Sequence, residues 1–316
     1  MEFALIERIR RRAGSRGDVV LGIGDDAALL QPPPGVLLAV ATDTLNIDVH
    51  FPSDTAPADI GWKALAVNLS DLAAMGARPA WATLSLSLPH ADAAWLDGFL
   101  DGFLALADAH GLALVGGDTT RGALSVCVTV HGFAAPRAVL RRDGARVGDD
   151  VWVSGTLGEA AAALSQWRAG SAADPSLRSR LDRPVPRIAT GLALAGLAHA
   201  AIDVSDGVLA DLGHVCSASG VGADLWLDAL PATAGLRALF GGETLHGLQA
   251  CGGDDYELCF TAAHGSADAI AALASAEVAL TRVGRIVEGD AVRALRADGS
   301  EWRPPATGYA HFGDTR

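Results

Sequence analysis

Acidic residues recur in this chain where apolar runs stop. VVLGIG leads into Asp25 and Asp26, LLAVAT into Asp43 and Thr44, and LALVGG into Asp118. AAI leads into Asp203-Val204-Ser205-Asp206, and LQACGG into Asp254 and Asp255. An apolar run closed by a turn signal reads as a buried strand or strand end, so these carboxylates are expected to gather at one rim of a sheet. Gathered there they repel one another unless cations neutralise them, and an all-oxygen donor set suits Mg²⁺ or Mn²⁺. The chemistry to expect is a divalent-metal site, and with it metal-bridged phosphate chemistry.

Each cluster also has a plainer reading. Gly22-Ile23-Gly24-Asp25-Asp26 and Gly116-Gly117-Asp118 could be ordinary turns, because Gly and Asp are turn residues. Asp43 could be a loop aspartate. Ser205 or Asp206 could cap a following helix, whose N-terminus is equally an anion site, with Asp211 in its second turn on the solvent or site side. Asp71 is sharper. It lies on the segment Ile60-Trp62-Ala64-Leu65-Val67-Leu69-Leu72-Ala74, which is apolar almost all round and therefore reads as a buried helix. Asn68 and Asp71 share one side of it, and a carboxylate there must pair with an arginine or bind a metal. Arg141, Arg142 and Arg146 form the tight basic cluster of the middle of the chain: a phosphate clamp or a solvated turn.

Composition narrows the classes. The formal net charge of −13 argues against a duplex nucleic-acid partner but not against anionic substrates, since bound metal inverts the local sign. With Lys63 as the sole lysine, cationic work falls to arginine. Cys127, Cys216, Cys251 and Cys259 make no CxxC pair and read as free thiols of a reducing compartment, the cytoplasm. No apolar run is long enough for a membrane span, and MEFALIERIRRR reads as an amphipathic helix rather than a secretory signal. There is no GxxxxGK[ST] loop, no GxSxG, no HExxH and no kinase HRD/DFG set, which removes P-loop, serine-hydrolase, zincin and protein-kinase chemistry.

Two domains of α/β or α+β layers suit the 316 residues. Periodicity predicts helices at 2–12, 57–75, 91–109, 186–199 and 266–275, with others starting near 156 and 206. It predicts strands at 18–23, 36–42, 80–88, 112–116, 123–134, 150–155, 200–204, 222–227, 257–262, 279–285 and 291–296. Residues 136–150 read as the boundary and 170–186 as an exposed loop.

Seven segments resemble the thiamine-monophosphate kinase family, in its order and spacing. They are GIGDDAA at 22–28, ATDTLNIDVHF at 41–51, GWKALAVNLSDLAAMGARP at 61–79, GGDTT at 116–120, RRDGARVGDDVWVSGTLG at 141–158, DVSDG at 203–207 and GGDDYEL at 252–258. The resemblance implies an α+β, two-domain aminoimidazole ribonucleotide synthetase-like fold. Residues 1–138 would be an N-terminal ATP/metal-binding and dimerisation domain whose sheet pairs across a homodimer. Residues 139–316 would be a C-terminal α/β sandwich completing the nucleotide and substrate sites. It implies ATP-dependent phosphorylation of thiamine monophosphate to thiamine diphosphate. Asp26, Thr42, Asp43, Thr44, Asp71, Asp118, Asp203 and Asp206 would hold several Mg²⁺ ions. Gly117, Asp118, Arg142 and Ser205 would contact ATP, and His50, Asp254 and one of Tyr309 or Phe312 would contact the thiamine substrate. The family has Glu where this chain has Asp254, one methylene shorter.

Two relatives with the same implied fold fit less well. A selenophosphate synthetase would need a reactive cysteine near the N-terminus, and the first here is Cys127; a hydrogenase-maturation protein would end in cysteine, and this chain ends HFGDTR. A non-catalytic metal- and nucleotide-binding protein could share every aspartate.

Overall fold

The computed structural model of the protein describes residues 2–304 and Gly308. The chain divides into two compact units, residues 1–72 with 77–137, and residues 73–76 with 138–316.

The first unit opens with α1 (Glu2–Arg12), a short antiparallel pair β1 (Val19–Leu21) and β2 (Leu29–Leu30), and β3 (Leu37–Asn46). Then come α2 (Pro57–Ala74), β4 (Arg78–Leu88), α3 (Ala93–Ala109), β5 (Ala113–Arg121) and β6 (Ser125–Ala134). The four longer strands form one sheet in the order β3-β6-β4-β5, with β4 and β5 parallel and the other pairs antiparallel. Strand β6 shows why the sheet has two unlike faces: Val126, Val128 and Val130 are buried while Cys127, Thr129 and His131 are only half-buried, the period-2 pattern of a strand covered on one side. Helices α2 and α3 supply much of the buried apolar surface: Leu65, Leu69, Phe99, Leu100 and Phe103 are fully buried. Asp92 caps α3, its carboxylate accepting the N–H groups of Ala94 and Trp95.

The second unit runs through β7 (Asp149–Ser154), α4 (Glu159–Arg168), α5 (Pro175–Asp182), α6 (Ile188–Leu194), β8 (Ala200–Val204) and α7 (Val208–Ser219). It continues with β9 (Gly222–Trp226), α8 (Ala234–Leu239), α9 (Gly242–Cys251), β10 (Glu257–Ala263), α10 (Ala267–Ala271), β11 (Leu280–Val287), β12 (Val292–Leu295) and β13 (Glu301–Trp302). A seven-stranded sheet orders these β13-β12-β9-β11-β7-β10-β8. Strands β7 and β8 are buried along their whole length, their apolar stretches Val151-Trp152-Val153 and Ala200-Ala201-Ile202 running without alternation, as in strands covered on both faces.

Several expectations are corrected. Asp43 and Asp118 lie inside strands, not at strand ends, because β3 continues to Asn46 and β5 runs through Gly116-Gly117-Asp118-Thr119-Thr120 to Arg121. Pairing with β4 overrides the local turn signal of the glycines. The region read as a loop over 170–186 contains α5, signalled by Asp174-Pro175: Asp174 caps it through Ser176 and Leu177, with Pro175 in the first turn. Helices α8 and α9 lay outside the periodicity reading altogether.

Candidate active site

In the first unit the acidic residues are placed by strands β3 and β5 and by α2. Sheet register sets Thr44, Cys127, Ser85 and Asp118 in one cross-strand row, so Thr44 and Asp118 are three strand spacings apart, on the order of 14 Å. Asp43 belongs to the neighbouring row. Asp26 lies in the loop between β1 and β2, its N–H bonded to the carboxylate of Asp25 at 2.8 Å. Thr42 donates its hydroxyl to the carbonyl of Val128 at 3.1 Å, with the Thr129 hydroxyl 2.9 Å away. Burial lifts the carboxyl of Asp43 above its usual range, which is the direction a bound cation would reverse.

Helix α2 anchors this group. Asn68 is fully buried, donates to the Ala64 carbonyl at 3.0 Å, and accepts the backbone N–H of Asp43 at 3.0 Å. Asp71, one turn on, is half-buried. Lys63, buried on the same helix, donates to the carbonyl of His50 at 2.9 Å. His50 Nδ1 accepts the N–H of Asn46 at 3.0 Å; in the neutral ring this puts the proton on Nε2. Gly117 has φ +145°, and a Cβ there would sit 1.8 Å from the carbonyl oxygen of Leu84, so only glycine fits. Asp118 bonds the N–H of Thr119 at 2.8 Å.

In the second unit two loops are laced together. The N–H of Asp254 donates to the carbonyl of Ser205 at 2.9 Å, and that of Tyr256 to the carbonyl of Val204 at 2.8 Å. Asp254 and Tyr256 both adopt positive φ, +69° and +50°, and the Tyr256 hydroxyl donates to Asp254 at 3.2 Å. For a tyrosine that backbone is a true outlier, of the kind that surrounding structure must enforce. Below it, the fully buried Glu257 accepts from Ser154 at 2.6 Å, from Arg180 at 2.8 Å, and from Arg187. Asp255 accepts the N–H of Gly158 with both oxygens, at 3.0 and 2.9 Å. Burial, then the charge of Glu159, pushes its carboxyl well above the ordinary value.

Of the two placements open to Asp211, solvent side or site side, the structure takes the site side, in the first turn of α7 rather than the second. The residue is buried, and its Oδ2 accepts three successive N–H groups, those of Ser205, Asp206 and Gly207, each at 3.1 Å. The turn before α7 thus spends these donors internally, which corrects the expectation of a helix-terminal anion site. Burial first, then the charges of Asp203 and Asp206, pushes the Asp211 carboxyl up to about 7. Of the twin arginines, Arg141 is bound to Asp143 at 2.8 and 2.5 Å. The exposed Arg142 guanidinium has no hydrogen-bond partner among the described residues. Tyr309 and Phe312 lie outside the described residues.

The five acidic segments do not belong to the rim of one sheet: they are divided among three sheets, and among the described residues no three His, Cys, Asp or Glu side chains converge into a ready metal cage. The donor set still fits Mg²⁺. That ion keeps several waters and is held through one or two carboxylates plus substrate phosphates, and the donors here are carboxylates and hydroxyls, with the Asp43 carboxyl raised in pKa by burial. No helix among the described residues is long and apolar enough to cross a membrane.

Family models match both parts of the chain: AIR synthase related protein, N-terminal domain, over residues 24–134, and AIR synthase related protein, C-terminal domain, over residues 146–295. A thiamine-monophosphate kinase of Salmonella typhimurium is 45% identical over 323 residues, 98% of each chain. One of Escherichia coli K12 is 44% identical over 319 residues, again 98% of each. The crystal structure of thiamine-monophosphate kinase from Stenotrophomonas maltophilia superposes with TM-score 0.88 at 56% identity, covering 95% of this chain and 98% of that one. A structure described as AaThiL complexed with AMPPCP and TMP matches with TM-score 0.78 at 32% identity, covering 98% and 97%. On that identity and coverage, the chain belongs to the thiamine-monophosphate kinase family.

Proposed function

We propose that this protein phosphorylates thiamine monophosphate to thiamine diphosphate at the expense of ATP. The observation that carries the reading is 45% identity over 98% of the chain to a relative of that name. The seven segments that carry the resemblance are present in order.

In the reaction a phosphate oxygen of thiamine monophosphate forms a bond to the γ-phosphorus of ATP, and the bond from that phosphorus to the β,γ-bridging oxygen breaks, leaving ADP. The attacking phosphate has a second pKa near 6, so it is already largely ionised at neutral pH and no general base is needed. Catalysis is then positioning and charge neutralisation. Asp26, Thr42, Asp43, Thr44, Asp71 and Asp118 of the first unit, and Asp203 and Asp206 of the second, would hold Mg²⁺. When bound, Mg²⁺ neutralises the crowded phosphate oxygens and draws charge from the leaving group.

The chain's own residues do the rest. Gly117 lets backbone approach a phosphate without a side chain between. Arg142 supplies the uncommitted guanidinium for ATP, and Ser205 a hydroxyl. His50 offers its Nε2–H to the thiamine substrate. Asp254, carried on strained backbone and tethered by Tyr256, meets the substrate's cationic ring system with a shorter reach than a glutamate.

The protein acts in the cytoplasm, in keeping with four free cysteines. It forms a homodimer through the first unit's sheet, where Leu38 and Val40 of β3 are 49% and 57% exposed on one strand face. A monomeric mass in light scattering would overturn the dimer. The activity itself is tested by incubating ATP, Mg²⁺ and thiamine monophosphate and separating products by chromatography, with unphosphorylated thiamine as control. Thiamine diphosphate equimolar with ADP, and none from thiamine, supports the reading; intact ATP binding without turnover overturns it.

A further inference from the structure

We infer that Asp211 is a positioning residue that sets the shape of the 203–207 turn and, through it, of the 254–256 loop. The inference rests on the proposed roles of Asp203, Ser205, Asp206 and Asp254.

The argument starts from where the backbone groups go. A buried N–H must find an acceptor, and a turn entering a helix leaves its first N–H groups without intrahelical partners. Here the N–H groups of Ser205, Asp206 and Gly207 all converge on one oxygen, Oδ2 of Asp211, at 3.1 Å each. Three donors on a single acceptor fix three consecutive peptide planes, so the turn has one conformation rather than many. Gly207 carries the bend, with φ +112° and room for no Cβ, which would lie 2.8 Å from backbone of Cys251. On the carbonyl side the same turn is held from elsewhere: Val204 and Ser205 accept the N–H groups of Tyr256 and Asp254.

The turn is therefore clamped twice, its N–H groups by Asp211 and its carbonyls by the neighbouring loop. Asp211 is only 2% exposed, and its Oδ2 is committed to three backbone N–H groups. Its contribution passes through Asp203, Ser205 and Asp206 on one side and Asp254 on the other. Loss of the clamp should loosen both sets together.

The test uses the full-length enzyme with Asp211→Ala and Asp211→Asn, compared in Mg²⁺ titrations and in KM for thiamine monophosphate. Removing a group that orients ligands costs on the order of 10–100-fold in metal affinity or activity. Asp211→Ala is expected to raise both the half-saturating Mg²⁺ concentration and the KM by about tenfold or more. Asp211→Asn, which keeps an acceptor oxygen, should recover most of both. A folded Asp211→Ala protein with both parameters unchanged overturns the inference, as does one that loses kcat alone. Should Asp211→Ala fail to fold, amide hydrogen exchange on the unsubstituted, metal-free protein decides. Slow exchange at Ser205, Asp206 and Gly207 supports the clamp, and exchange at the rate of an open loop overturns it. Asp206→Ala separates the two levels. If that variant leaves the Mg²⁺ dependence untouched, the metal role of the turn fails, while the amide result still stands or falls on the clamp.

Discussion

Asn68 on α2 accepts the backbone N–H of Asp43 on β3 at 3.0 Å. Strand β3 is an edge strand of its sheet, and an edge leaves a row of backbone groups without ladder partners. A buried side-chain amide fills one of those vacancies at the residue proposed to hold a metal.

That contact makes Asn68→Ala informative. It strips the acceptor from the Asp43 N–H and leaves a partly buried donor unsatisfied, at about 1–3 kcal/mol. Urea denaturation should show a loss of that size. The Mg²⁺ requirement should rise as well, since Asp43 is freed to wander. Unchanged stability would show that water replaces the amide without loss.

The proposed metal carboxylates should respond differently. Asp43→Asn and Asp118→Asn keep size and lose charge, so each should fold normally and lose about 10²-fold or more in kcat, by analogy with other electrostatic stabilisers. Steady-state kinetics with circular dichroism as the folding control tests this. A near-wild-type rate from either variant removes that residue from the set.

Gly117→Ala probes the steric argument. The added carbon would stand 1.8 Å from the Leu84 carbonyl, and the backbone conformation is itself strained for any other residue by about 1–3 kcal/mol. Chemical denaturation should show at least that loss, with a raised KM for ATP. A variant as stable as the parent would mean that β5 can shift at this point freely.

Asp255 gives a pH signature. Its folded-state pKa is raised by burial and by Glu159, against partial relief from the Gly158 N–H and the Arg180 charge. The folded protein then binds a proton that the unfolded chain has released. The stabilisation is complete below the unfolded value of 3.8 and is lost as pH rises through the folded one. Asp255→Asn keeps an acceptor for Gly158 and has no proton to lose. Its Tm should therefore fall less steeply than the parent's from acid to neutral pH, measured by scanning calorimetry; parallel curves would contradict the shift.

How much of this was legible in advance depended on distance along the chain. Strands β7, β8 and β10 were readable because both faces are buried and each holds a short apolar run without alternation. The acidic residues were readable as a pattern, and Asp71 as a carboxylate on an apolar helix. Their surroundings were not. Gly116-Gly117 reads locally as a turn and becomes strand only through pairing with β4, a contact that sequence periodicity does not encode. Asp211 carried the same signal as Asp71, an acid flanked by Leu209, Ala210 and Leu212, and could have been read as buried on that ground. Residue type and spacing alone do not distinguish Arg141 from Arg142; the resemblance does, by singling out Arg142. The choice is made by a single turn of backbone that brings Asp143 to the first and leaves the second to solvent.

The central position of β6 has a consequence for how the protein is made. Residues 125–134 pair with both β3 and β4, so the first unit's sheet is bridged by its last strand. At a synthesis rate of about 5–20 residues per second, β3 emerges on the order of ten seconds before its partner exists. Throughout that interval the apolar faces of α2 and α3 have no complete sheet to cover. Nascent chains stalled before Ser125 should be cut readily by protease, and those stalled well past Ala134 should resist. The ribosome, in effect, holds an unfinished half-sandwich whose closing piece arrives last, and chaperone demand for this protein should peak in that window.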